Sequence, residues 1–117
     1  MVDICTSFEL TTRLNQKEMN MIHKVLLFTR HQLPDYLQGI PCIFGQSHDP
    51  TDTEGLYLKA FTYMSELDKN TEIHLYVTGL TAATLAVVRA CYTQNKKLVC
   101  YHYNRDTNEY FPQRVLG

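Results

Sequence analysis

Hydrophobic and polar positions alternate at the start of the chain. Val2, Ile4, Thr6, Phe8, Leu10 and Leu14 fall on one face, and Asp3, Ser7, Glu9 and Arg13 on the other. A period of two predicts a strand with one drier face. The pattern then changes. Asn15 and Glu18 have the spacing of a capping box, in which the Asn side chain accepts from first-turn amides and the Glu reaches back. Met19, Ile22 and Leu26, with Val25 and Thr29 beside them, recur at helical spacing, so a helix is expected that ends before Pro34. The run KVLLFT, residues 24–29, also reads as a strand, and periodicity alone leaves both readings open.

Further along, IPCIFGQS is a short apolar run closed by Gly45 and suits a buried strand. The turn-rich SHDPTDTEG follows, and Asp52 or Thr53 can cap a helix with Leu56, Ala60, Met64 and Leu67 on one face. EIHLYVT reads as a strand that runs through Thr78-Gly79 into TAATLAVVRACYTQ, a helix apolar on nearly all sides. Its Ala82, Ala83 and Ala86 permit close approach to a sheet. KLVCYHY is a strand, NRDTN a polar turn, and EYFPQRVL a returning edge strand, where Pro112 is tolerated because an edge can spare a donor. The order β-α-β-α-β-α-β-β predicts a three-layer α/β domain. Its sheet is mostly parallel with an antiparallel C-terminal edge hairpin, and one domain spans residues 1–117.

Composition narrows the function classes. The chain is 44% hydrophobic and 20% charged with a formal net charge of −1, which speaks for a folded domain and against a grip on long nucleic acid. The N-terminus lacks a basic region and a continuous apolar stretch, so no signal peptide is expected. No apolar segment reaches the roughly 20 residues a bilayer span requires, and no membrane partner is expected. Cys5, Cys42, Cys91 and Cys100 lie in or beside apolar runs without metal-ligand spacing. Buried thiols in a reducing cytoplasm are the expectation.

In parallel sheets ligands bind beyond the carboxyl ends of the strands, where helix N-termini present unpaired amides and partial positive charge. The turn Thr78, Gly79, Leu80 and Thr81 is the first candidate for holding a phosphate: Gly79 admits an anion close to the backbone, and the two threonines supply hydroxyls. Gln46 after the second strand and Ser7 on the first are further ligand-binding candidates. His102 and His48 are the candidate catalytic residues, because imidazole exchanges protons near neutral pH. His74 reads as a packed or helix-facing residue, and His23 and His31 as surface residues. Asp49, Asp52, Glu54 and Asp68 make no metal-binding pattern; neither a metal nor another cofactor is expected. No Walker motif, GxGxxG or GxSxG is present. Eight tyrosines are conspicuous, and Tyr101, Tyr103, Tyr110 and Phe111 gather on the expected hairpin. Such an aromatic edge can stack bases or close a homodimer seam, and the seam is the simpler reading.

The strand IHLYVTGLTAATLAVV followed by KLVCYHY resembles the strand–Thr-Gly-x-Thr–helix core of CRISPR-associated Rossmann-like domains that sense cyclic oligoadenylates. It is also similar to the small stand-alone ring nucleases that degrade those messengers. The resemblance covers residues 72–103, and Leu80 stands where those domains often carry a second glycine. It implies a Rossmann-like fold and an antiviral-defence setting. It also implies a small nucleotide ligand held by the turn, often across a homodimer interface, with metal-independent ring-opening phosphodiester chemistry. The other expectation is a non-enzymatic interaction module that dimerises through the Tyr-rich hairpin.

Overall fold

The computed structural model describes residues 21–28, 34–45, 49–79 and 81–117. Four strands form one mixed sheet: β1 (Ile22–Leu26), β2 (Glu72–Tyr76), β3 (Leu98–Asn104) and β4 (Glu109–Leu116). They lie side by side in chain order, with β1–β2 and β2–β3 parallel and β3–β4 antiparallel. Helix α1 (Thr53–Ser65) crosses from β1 to β2, and α2 (Thr81–Thr93) from β2 to β3. Right-handed crossovers that step in one direction place their helices on one side of the sheet. One core accordingly joins Leu56, Ala60 and Met64 of α1 and Ala83, Val87 and Ala90 of α2 to Val25, Ile73, Leu75, Leu98 and Cys100 of the strands. Leu56 and Met64 are fully buried, each contributing about 1.5–3 kcal/mol relative to exposure.

The expected mostly parallel α/β sheet with an antiparallel C-terminal hairpin is present. The helix expected over 15–33 gives way to strand β1 at Ile22–Leu26. Its i, i+3 and i+4 apolar spacing is outweighed by pairing that runs from Ile22↔Glu72 to Leu26↔Tyr76 and buries Val25 and Leu26 on opposite faces. The expected strand at 41–44 is reduced to a single parallel bridge, Leu26↔Cys42. Ile43 and Phe44 are still buried, and their amides donate to Leu26 and Leu27. Gly45, at φ +71°, turns the chain away. Pro41, which accepts from the Leu26 amide, has no amide of its own for a ladder. The first expected strand, over residues 2–14, lies outside the described residues.

The sheet face away from the helices carries a second, smaller cluster. Leu26, Leu37 and Tyr76 are buried there, with Ile40, Cys42, Tyr101 and Tyr110 against them. The chain between Pro34 and Cys42 supplies its cover, through a single 3-10 turn, Asp35–Leu37. Among the described residues no helix is long and apolar enough to cross a membrane.

Candidate functional site

The carboxyl edge of the parallel strands is where β2 hands over to α2. Thr78 is buried, and its hydroxyl accepts the Phe28 amide at 3.5 Å. Gly79 and Thr81 are exposed, and Thr81 is the first residue of the helix. A methyl group built on Gly79 would sit 3.2 Å from the Phe28 ring, so Phe28 lies over the turn, with its ring 5.5 Å from that of Phe44. What favours glycine here is the closeness of that ring, which a Cβ would press back by a few tenths of an ångström, since its φ is not positive. Within the expected phosphate seat, Thr78 thus anchors the turn inward while Gly79 and Thr81 present themselves outward. Leu80, Gln46, His48 and Ser7 lie outside the described residues.

His102 stands at the same edge. It is one residue past the last position at which β3 pairs with β2, Tyr76↔Tyr101, and shares the helix-facing side with Cys100. Its Nε2 is 2.8 Å from Gln113 Oε1, and its ring is 5.4 Å from Phe111. Donation from Nε2 to the amide oxygen leaves Nδ1 as the acceptor nitrogen of the neutral ring, the form that takes up a proton.

The first turns of both helices flank a cavity of about 220 Å³, lined by Thr53, Tyr57, Ala82, Leu85, Ala86 and Arg89. Ala82 directly follows Thr81, so the cavity opens beside the turn. The Arg89 guanidinium lies over the Tyr57 ring, 3.8 Å from its centroid, and meets Glu54 at 3.0 Å. Both partners of that ion pair are well exposed, so it contributes at most about 1 kcal/mol and exchanges readily for another anion. Tyr57 and Arg89 were not legible as site residues in the sequence. They are ordinary helix residues until α1 is docked on α2. The outward face of α2 carries apolar side chains too, in keeping with a helix apolar on nearly all sides: Leu85 and Tyr92 are 62% and 74% exposed.

His23 and the aromatic hairpin resolve differently from expectation, and His31 lies outside the described residues. His23 is on β1, half-buried on the helix side, with Nε2 2.7 Å from the Tyr63 hydroxyl. Desolvation there lowers its pKa from 6.5. His74 is packed, one of its two expected placements, and lies against Tyr101 on the face away from the helices. The hairpin aromatics divide between the two faces: Tyr103 and Tyr110 meet edge to face, Tyr76 stacks on Tyr101 at 4.5 Å, and Phe111 sits on the opposite side with His102. Burial pushes the Cys91 and Cys100 thiols up to about 12 and about 11, which makes them poor nucleophiles. Cys5 lies outside the described residues. No group of three metal-ligating side chains converges among the described residues.

No protein-family model matches the chain, and neither a curated protein nor a solved structure does.

Proposed function

We propose that the chain binds a small nucleotide second messenger of the cyclic-oligonucleotide class at the carboxyl edge of its sheet. The observation that carries this reading is the cavity between the start of α1 and residues 82–89 of α2, which begins at Ala82, next to the exposed Thr81. It supplies the two things a nucleotide needs side by side. Helix amides with the Thr81 hydroxyl suit a phosphate, and an apolar pocket walled by Tyr57 suits a base. Arg89 can exchange its exposed Glu54 partner for a second phosphate. The finer reading of the fold, a three-layer Rossmann-like domain working as a homodimer, belongs to the same proposal. So does metal-independent ring opening: a ribose 2′-hydroxyl attacks the adjacent phosphate as His102 Nδ1 accepts its proton, the bond from phosphorus to the 5′ oxygen breaks, and the imidazolium returns the proton to that oxygen, leaving a 2′,3′-cyclic phosphate end.

A thermal-shift screen against mono-, di- and cyclic nucleotides tests the reading. A ligand that binds only the folded state raises Tm as RT ln(1 + [L]/Kd). Stabilisation by a cyclic oligonucleotide that is lost in both Thr81→Ala and Arg89→Ala is expected. Gly79→Val is a poorer test, because its side chain would displace Phe28.

A second reading has its own support. Tyr103, Phe111 and Val115 are 45%, 49% and 36% exposed on the hairpin, enough apolar surface to seed a homodimer seam. Phe111→Asp is then expected to abolish concentration-dependent self-association in sedimentation, with no thermal shift from any nucleotide.

A further inference from the structure

Glu72, His74 and Tyr101 form a hydrogen-bonded chain on the sheet face turned away from the helices. His74 Nε2 lies 2.7 Å from Glu72 Oε2, and His74 Nδ1 lies 3.2 Å from the Tyr101 hydroxyl. The Glu72 and His74 side chains are only 13% and 12% exposed, so the pair is shielded from water. Tyr101 is less buried, and its ring is held by its stack on Tyr76.

The proton positions follow from the partners. The hydrogen bond from His74 is the leading reason that the Glu72 carboxyl titrates below its usual range, so Glu72 is ionised and accepts from Nε2–H. Neutral His74 then presents Nδ1 as an acceptor, and the Tyr101 hydroxyl donates to it. This is the order of groups that activates a hydroxyl: nucleophile to base, base to an orienting carboxylate. Cations surround it. The Arg114 guanidinium reaches both Glu72 oxygens at 3.4 Å. Pairing across the sheet aligns Lys24, His74, Val99 and Arg114 in one row. Arg114 is half exposed and Lys24 is exposed, so both are open to an anion.

We propose that Tyr101 is the nucleophile of a second reaction centre that takes phosphodiesters, with His74 as its base and Glu72 as the orienting carboxylate. The Tyr101 oxygen attacks phosphorus and its proton passes to His74 Nδ1. The bond from phosphorus to the leaving oxygen breaks, and the imidazolium returns the proton to that oxygen. The product is an alcohol and a phosphotyrosyl ester. Water attacking the ester through the same base releases the phosphate monoester and restores the phenol, so water is the only co-reactant. Lys24 and Arg114 offset the charge that gathers on the phosphoryl oxygens. This centre is independent of the nucleotide site at the carboxyl edge.

The test uses the full chain with bis(4-nitrophenyl) phosphate. Release of 4-nitrophenolate and a phosphoryl adduct mapped to Tyr101 by mass spectrometry are expected. Tyr101→Phe, which keeps the ring stack, is expected to abolish both. His74→Gln is expected to slow adduct formation about 10²-fold, the usual size of a general-base contribution. The groups facing His74 are Glu72, Lys24, Tyr101 and Arg114. A base at this position makes the rate depend on pH, and the pH–rate profile is expected to lose that dependence in His74→Gln, which a structural role would not produce. Absence of an adduct on Tyr101, preference for the more exposed Tyr103, or an unchanged rate in a folded His74→Gln would each overturn the proposal.

Discussion

His23 is a half-buried titrating group whose sign can be worked out. Burial depresses its pKa below the ordinary 6.5, so between the two values the unfolded chain binds the proton and the folded chain does not. Its neutral form is the one that fits beside Tyr63. Stability is therefore full above pH 6.5 and falls as pH drops through the lower, folded value. Glu72 acts in a separate, more acidic window. Its carboxyl is held below 4.5 by His74, so the stability it contributes is present above that value and lost as pH falls further. Urea midpoints measured against pH are expected to show both losses. His23→Gln, which keeps a hydrogen-bonding group near Tyr63, should flatten only the first, and Glu72→Gln only the second. At this scale the sequence was informative where a residue's role is local. Gly79 and Thr81 were recognisable as residues of a strand-to-helix turn, although their exposure beside a buried Thr78 was not. The relay was not, although Glu72 and His74 sit two apart on one face. Tyr101 joins them through a neighbouring strand whose alignment no local pattern carries.

The helix ends show the same division among elements. Asp52 caps α1, accepting from the Gly55 amide at 3.0 Å, as the sequence allowed. A side chain on Gly55 would overlap that carboxylate. Asp52→Ala is expected to cost about 1 kcal/mol in chemical denaturation. At the other end of α2, Asn95 adopts φ 61°. The Lys96 amide returns to the Cys91 carbonyl at 2.8 Å, and the Asn95 amide to Tyr92 at 3.1 Å, the paired bonds of a Schellman ending. Asn95→Gly should leave Tm unchanged or raise it, whereas Asn95→Val, branched at a left-handed position, should cost about 1–2 kcal/mol. The elements from α1 onward were legible because alternation, caps and turn residues agree there. β1 was legible only as the second of two readings of residues 24–29, because helical spacing is a local signal and its pairing with β2 bridges 50 positions, Ile22 to Glu72.

For the whole molecule, the decisive feature is the stepping of the sheet in chain order. It puts α1 and α2 side by side on one face, so both helices start toward the carboxyl edge and the cavity between them runs along α2 from Ala82, the residue after Thr81, to Arg89. The same order leaves β4 as an outer strand, and Pro112 blunts that edge because it has no amide to donate to another strand. Self-association through the hairpin would therefore use the faces of its side chains. Neither consequence follows from the elements taken one at a time, which is why the aromatic hairpin read as one patch and the cavity was not foreseen. Amide chemical-shift mapping by NMR with a cyclic oligoadenylate tests the central claim most directly. Perturbations are expected to concentrate on Gly79, Thr81, Ala82, Thr53, Tyr57 and Arg89. No perturbation at saturating ligand, or perturbation confined to the tyrosine face of the sheet, would contradict binding at the carboxyl edge.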